Sequence, residues 1–430
     1  MSILGSLLAT VALAGGLAAS APAAGQEAAG EHPAVTAWVR HHAVRLATAD
    51  PTASLDDLTA LRDSIGRARV VGLGESVHGA AEEIALKHRV LRYLVERMGF
   101  RSVAWEDDWT IGRRIDRYIR TGRGNPDALV ARMSPQWQSA EVADVLRWLR
   151  SYNRGRADKV RFFGVEYYLT RRLAYDAIDR YVARTAPGLS PELRRHLRPI
   201  RPETADIWQH IRWYERQKDK APYIRHAREV YRLVAGLRPA DGRRHAVALH
   251  HARQIWSFYV HYAMPPADGL VYRDAQAAKS LRWWRDLSGA RIAYWAASPH
   301  TVDAPKLRIA MPGPDLRFPS VGSYLRDWYG ERYRSVGFTF GHGEIRIGPG
   351  QTVELPPPNA AWFERPFGAV RADQFVLDLR HRASPPVRRW LTEPITTRGP
   401  GPGTFLDGGS ARQWFDVIVH RQEITPVRTP

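Results

Sequence analysis

Gly74-Glu75-Ser76-Val77-His78-Gly79 sets a carboxylate and an imidazole three residues apart, a spacing that lets both side chains approach one cleft. A neutral imidazole takes a proton from water, and a neighbouring carboxylate fixes its tautomer and stabilises the imidazolium that forms. Placed at the start of a helix, His78 is also pushed toward its neutral form by the helix dipole. Glu106, Glu166 and His300 supply further acids and a second imidazole. The chemistry these residues support is general acid–base activation of a water molecule, with His78 as base and Glu75, Glu106 and His300 completing the catalytic group. A plainer local reading makes Glu75 a helix cap and His78 a structural residue. Asp107 and Asp108 read as caps.

The elements that position these residues alternate. Residues 68–74 are a short apolar run ending in glycine, and so a buried strand. An amphipathic helix over 80–98 follows, with Ile84, Leu91, Leu94 and Val95 on one stripe and Gly99 closing it. Strands are expected at 101–105, 159–165, 291–296, 334–340, 375–379 and 415–419, and helices at about 110–121 and 140–154. Such alternation implies βαβ crossovers and an α/β fold, a mostly parallel central sheet flanked by helices. The first four strands end at or near Glu75, Glu106, Glu166 and His300. In open α/β sheets, sites form beyond the carboxyl ends of the strands. Strand signals stop between about 170 and 288, which reads as an inserted helical subdomain. The organisation expected is a core over 29–170, a helical subdomain over 171–288 and a second core part over 289–430. The Pro- and Gly-rich stretches at 348–360 and 396–410 predict loops.

Several chemistries are disfavoured. There is no Gly-x-Ser-x-Gly elbow for a serine triad, no HExxH zincin helix and no GxGxxG or Walker A loop. The chain has no cysteine, which removes disulfides, thiol catalysis and thiolate metal sites. His250, His251 and His261 lie in helix-like sequence and read as structural or solvent-facing, and His88 as helix packing. Trp105, Trp137, Trp256, Trp283 and Trp284 fall near the candidate segments and suit a large apolar ligand.

The 430 residues carry a net charge of +19. The positive charge is largely arginine, interleaved with acids and without a nucleic-acid-binding motif, so no nucleic-acid partner is expected. Residues 1–28 hold an apolar run and an Ala-x-Ala pattern, Ala21-Pro22-Ala23, which reads as a signal peptide or N-terminal anchor. An exported protein, secreted or periplasmic, with no stable membrane span after cleavage follows from that reading.

GLGESVHG followed by a helix and then MGFRSVAWEDD resembles the signature of the erythromycin esterase family. The resemblance continues through RFFGVE (161–166), YRDAQAAKSLRWW (272–284), RIAYWAASPH (291–300), residues 321–345, FVLDLR (375–380) and residues 415–426. It implies the family's α/β fold and hydrolysis of a small-molecule ester, in the best-known members the lactone of a macrolide, an antibiotic-resistance activity. By position, it makes His78 the general base, with Glu75 assisting and Glu106 and His300 lining the same cleft. Arg273 and Asp274 open a nearby helix and, with Glu166, contact substrate. Where family members commonly have His-Asn, this chain has Ala297-Ser298. Where Asn and Asp are common, it has Ser280 and Glu166. No cofactor is implied, but Glu75, His78, Glu106 and His300 are suitable ligands for a divalent metal such as Zn²⁺ or Mn²⁺. A metal-dependent hydrolase, a biosynthetic tailoring enzyme or cyclase, and a catalytically silent binding protein are the alternatives.

Overall fold

Short runs of apolar and β-branched residues build the central sheet. Val70–Glu75, Ser102–Asp108 and Ile292–Ala297 are buried at every position, the pattern of parallel strands covered on both faces. The computed structural model describes residues 32–238, 240–311 and 313–430. Its strands are β1 (Val44–Arg45), β2 (Val70–Glu75), β3 (Ser102–Asp108), β4 (Arg161–Glu166), β5 (Ile292–Ala297), β6 (Leu307–Ala310), β7 (Leu316–Phe318), β8 (Tyr333–Gly348), β9 (Gln351–Leu355), β10 (Gln374–Asp378), β11 (Thr397–Arg398), β12 (Phe405–Asp407) and β13 (Val417–Ile424). The main sheet has nine strands in the order β1-β10-β13-β8-β2-β5-β3-β4, with β9 paired to β8. From β13 through β8, β2 and β5 to β3 the pairing is parallel. Strands β1, β10 and β9 pair antiparallel. The leader reading at 1–28 lies outside the described residues.

The helices are α1 (Pro33–His42), α2 (Leu61–Ile65), α3 (Ala81–Met98), α4 (Trp109–Thr121), α5 (Pro126–Val130), α6 (Ala140–Asn153), α7 (Arg172–Thr185), α8 (Ser190–Leu197), α9 (Ile207–Glu215), α10 (Ala221–Ala235), α11 (Gly242–His261), α12 (Pro266–Ser288), α13 (Ser298–Thr301), α14 (Val321–Tyr329), α15 (Pro385–Thr392) and α16 (Ala411–Trp414). Helix α3 ends at Gly99, whose left-handed φ of 75° lets Phe100 N–H donate back to the Leu94 carbonyl at 3.0 Å. Among the described residues, no helix is long and apolar enough to cross a membrane.

The chain divides into two compact units. The first holds residues up to Trp105, Arg117–Phe162 and Ala290–Pro430; the second holds Glu106–Asp116 and Phe163–Gly289. The first unit contains the core of the parallel sheet and its packing helices α3 and α6. It also carries a separate four-stranded antiparallel sheet, β11-β12-β6-β7. This small sheet and β9 correct the loop expectation for 348–360 and 396–410. Strands of two to five residues, broken by Gly and Pro, carry too little alternation to show in sequence, and their backbone ladders supply the order.

The second unit is helical apart from the ends of β3 and β4, and aromatic packing fills it. Tyr214 and Tyr259 meet at 4.7 Å between ring centroids. The Tyr214 hydroxyl donates to the Tyr259 carbonyl at 2.9 Å, and the Tyr259 hydroxyl is 2.6 Å from His210 Nε2. Trp284 stacks on Phe163 at 4.7 Å. Asp108 caps α4, accepting from the Thr110 and Ile111 N–H groups at 2.8 and 3.3 Å, as its sequence context suggests.

Candidate active site

Glu75 is the last residue of β2 and is 2% exposed. It stands in register with Ala297 of β5 and Phe338 of β8, so its carboxylate marks the carboxyl end of the central parallel strands. The Glu75 carboxylate Oε1 lies 3.2 Å from His78 Nδ1, an ion-pair approach that is not aligned as a hydrogen bond. The His78 side chain is 26% exposed, and Trp137 meets its ring edge-on at 5.2 Å. One placement is corrected here. His78 sits in the turn between β2 and α3, three residues ahead of the first helical residue, Ala81, and the N-cap is Ala80. The helix dipole acts over the first turn, so what His78 meets directly is a carboxylate, Glu75 at 3.2 Å, rather than the dipole. Glu75 likewise closes a strand rather than capping the helix.

The other Glu75 oxygen, Oε2, accepts a charged hydrogen bond from Lys87 Nζ. Lys87 is fully buried on α3, and its ammonium also donates to the Ala296 carbonyl at 3.2 Å. It lies 4.4 Å from the centre of the Trp295 ring, a favourable cation–π placement. Trp295 stacks on Trp105 at 4.4 Å, and Trp105 meets Trp137 edge-on at 5.5 Å. A wall of indoles therefore encloses the Glu75–Lys87 pair and reaches His78. Lys87 was not among the expected site residues, yet it carries a readable sign. Ile84, Lys87, Leu91 and Leu94 follow one another at three- and four-residue steps, so this lysine sits on the apolar stripe of its helix.

The turn that presents His78 is clamped from several sides. Glu83, an unexpected buried acid on α3, accepts from the Ser76 hydroxyl at 2.7 Å and the Val77 N–H at 3.2 Å. Burial pushes the Glu83 carboxyl up to about 8. Gly79 has a φ of 89°, and a Cβ there would sit 2.1 Å from the Arg346 carbonyl oxygen, so only glycine fits. The Gly79 carbonyl accepts from Arg346 N–H at 3.1 Å and Val427 N–H at 3.0 Å. Ala81 N–H donates to the Thr425 carbonyl at 2.8 Å, and Glu82 accepts from the Thr425 N–H at 2.7 Å. Residues 425–427 thus strap the turn to the rest of the first unit.

His300 lies on the single-turn helix α13, directly after β5, and is 6% exposed. Its ring is 6.1 Å from Phe318. Helix α13 presses on β2: a Cβ on Gly74 would stand 2.1 Å from Thr301 Oγ1, and the Ser298 hydroxyl donates to the Gly74 carbonyl at 2.9 Å. The glycines of β2 therefore bring the His300 helix against the strand that ends in Glu75.

The remaining expected residues belong to the second unit and form a group of their own. Arg273 donates from Nη2 to Glu106 Oε1 at 2.8 Å and from Nε to Glu166 Oε1 at 3.1 Å. Its guanidinium lies 5.2 Å from the Tyr168 ring centre. The neighbouring carboxylates Glu166 and Glu106 hold Arg273 far into its charged form against the opposing effect of burial. Asp274 is fully buried, on the inner stripe of α12 with Leu270, Ala277, Leu281 and Trp284. Two expectations are corrected. Arg273 and Asp274 lie well inside α12, which opens at Pro266, and Glu106 sits within β3, which runs on to Asp108.

His250, His251 and His261 are buried packing groups. His250 stacks on Trp283 at 3.8 Å, the Trp109 indole donates to His251 at 2.9 Å, and the Tyr167 hydroxyl is 3.1 Å from His261. Burial holds His251 down at about 3 and His261 at about 4, so both stay neutral in their helical surroundings. His88 is similarly buried, edge-on to Trp148 at 5.4 Å. Trp256 packs against Tyr231 at 5.3 Å. Among the described residues, no three His, Asp or Glu side chains are grouped so as to hold a metal ion.

An erythromycin esterase type II from Escherichia coli is 32% identical over 129 residues, a stretch spanning 30% of this chain and 30% of that relative. A crystal structure of a Bacillus cereus protein matches with a TM-score of 0.79 at 29% identity, covering 92% of this chain and 98% of that one. An erythromycin esterase mutant in its open conformation shares the fold, with a TM-score of 0.69 at 17% identity over 90% of this chain and 98% of that one. The family model described as erythromycin esterase matches residues 95–424, and on that extent the chain belongs to the erythromycin esterase family.

Proposed function

We propose that the chain hydrolyses a carboxylic ester or lactone by attack of a water molecule activated at His78. The observation that carries this reading is the 3.2 Å approach of Glu75 to His78 Nδ1 at the carboxyl end of β2. With Nδ1 facing Glu75, Nε2 is the basic nitrogen. It takes a proton from water as the oxygen attacks the carbonyl carbon, giving a tetrahedral oxyanion and an imidazolium. Glu75 stabilises that imidazolium, and collapse of the intermediate breaks the C–O bond. The leaving alkoxide takes a proton from His300 or from the imidazolium, and the products are an acid and an alcohol.

Trp137 meets the His78 ring edge-on but is itself 1% exposed, so it backs the imidazole from the protein side. Substrate recognition by Arg273, Asp274 and Glu166 is proposed on the family resemblance alone, Asp274 and Glu166 being buried. Glu106, expected as a catalytic acid, already holds Arg273, so we assign it to fixing that guanidinium rather than to proton transfer.

The metal-dependent alternative competes for the same atoms. Lys87 occupies Glu75 Oε2, where a coordinated cation would compete with an ammonium already in place. Both readings are tested by a panel of esters and macrolactones scored by mass spectrometry for gain of one water. Wild-type turnover should survive chelator treatment, and His78→Ala should lose about 10²–10⁴ in rate. Undiminished turnover by His78→Ala removes the base from this assignment. Chelator-sensitive turnover restored by Zn²⁺ or Mn²⁺ favours the metal reading.

A further inference from the structure

The second unit contains a cavity that the proposed chemistry does not use. It is open to solvent, with a volume of about 410 Å³; the exposed Arg172, Arg194 and Arg198 and the half-buried Arg201 line it, with the buried Leu197 and Pro202 as its floor and Glu203 as an acid at its rim. Arginine is commonplace in this chain, so the pairing of these four decides whether they form a site. Arg194 is held by Asp179 through Nε at 3.0 Å, and Arg201 is paired with Asp176. Each such contact leaves further N–H donors on a guanidinium that has five. Arg172 reaches a backbone acceptor, the Glu203 carbonyl at 3.3 Å. Among the described residues, no carboxylate pairs with Arg172 or Arg198. Arg172 is also the first residue of the fourteen-residue helix α7, which has no side-chain cap and no acid in its first turn. The partial positive charge of a helix N-terminus therefore adds to the guanidinium charge there.

Guanidinium groups match the oxygens of phosphate in a planar, two-point fashion, and several of them around one volume favour a dianion over a lone carboxylate. A volume of about 410 Å³ lies within the ~300–1,000 Å³ of small-molecule sites and exceeds what an inorganic ion fills. Leu197 and Pro202 form only its buried floor, and the volume beyond a phosphate is what a carbon body would fill. We propose that this arginine-lined cavity binds the phosphate group of a small organic phosphate.

The test is calorimetric titration of the full chain at low ionic strength with two probes, phenyl phosphate and inorganic phosphate. Phenyl phosphate should bind one to one and about tenfold more tightly than inorganic phosphate. Arg172→Gln with Arg198→Gln should weaken it about tenfold or more, and neither substitution breaks an ion pair, so the fold should hold by circular dichroism. Arg225→Gln with Arg228→Gln removes the same charge from exposed positions on α10 and should change affinity less than twofold. The proposal is overturned by undetectable phenyl phosphate binding, by equal affinity for the two probes, or by equal losses in the two double variants.

Discussion

Lys87→Met is the perturbation that most directly probes how the first unit holds the Glu75 carboxylate. Lys87 and Glu75 are 0% and 3% exposed at their side chains, so water cannot take over the role of a missing partner. Removing one member of a buried ion pair typically costs about 3–5 kcal/mol, because the other charge stays buried and uncompensated. Loss of the cation–π contact with Trp295, at 4.4 Å, adds about 0.5–2 kcal/mol. Glu75→Gln strands the ammonium in the same way. The double variant removes both charges and should recover most of the loss, leaving a deficit of about 1–2 kcal/mol against a sum of singles near 6–10 kcal/mol. The assay is urea unfolding of the four proteins followed by circular dichroism. If Lys87→Met stays within about 1 kcal/mol of wild type, or the double variant falls at the sum of the singles, the buried pair is not the organising contact described above.

Glu83 gives a pH prediction. Burial raises its carboxyl from 4.5 to about 8, so the folded chain holds that proton more tightly than the unfolded one. Its contribution is fully favourable below the unfolded value and is lost as pH climbs through the folded value, a decline of up to about 5 kcal/mol between pH 4.5 and 8. Glu83→Gln should flatten the stability curve in that window, and a variant that declines as steeply as wild type contradicts the account. Deleting residues 425–430 removes the strap on the His78 turn and should lower turnover about tenfold or more while the far-ultraviolet spectrum is kept; unchanged turnover shows the strap to be dispensable. Export, proposed on residues 1–28, predicts recovery outside the cytoplasm of a protein beginning near residue 24–29, read by N-terminal sequencing. Full-length protein confined to the cytoplasm counts against it.

What was legible in the sequence follows from the strength of each physical signal. Strands β2, β3 and β5 are continuous apolar runs because both faces are covered, and the 3.6-residue stripe of α3 marks that helix to within a residue. Glu75 and His78 stand out because polar groups follow an apolar strand directly. The short strands β6, β7, β9, β11 and β12 escape because two to five residues cannot show a period. Arg273 and Asp274 are displaced from a helix start to a helix interior because the Pro265-Pro266 pair, eight residues upstream, is the true start signal. Lys87 escapes because a lysine in a helix reads as a solvated residue by default, and only its coincidence with the Ile84–Leu91 stripe argues otherwise.

In the mechanism proposed above, with His78 as base, that escaped residue has a part. A buried carboxylate alone beside an imidazole favours the protonated ring, and a protonated ring has no lone pair left to accept a proton from water. On that mechanism Lys87 places a compensating charge on the far oxygen of Glu75, so the imidazole faces an acid–ammonium pair rather than a lone carboxylate. When His78 takes the proton, the imidazolium meets one oxygen of Glu75 while the oxyanion forms on substrate, and the total charge of residues plus substrate does not change. Buried sites pay heavily for net charge, so a three-member arrangement of acid, ammonium and imidazole moves a proton at lower electrostatic cost than the acid–imidazole pair does alone. On the proposed mechanism, then, Lys87 serves the chemistry as well as stability, acting through Glu75 as a positioning residue.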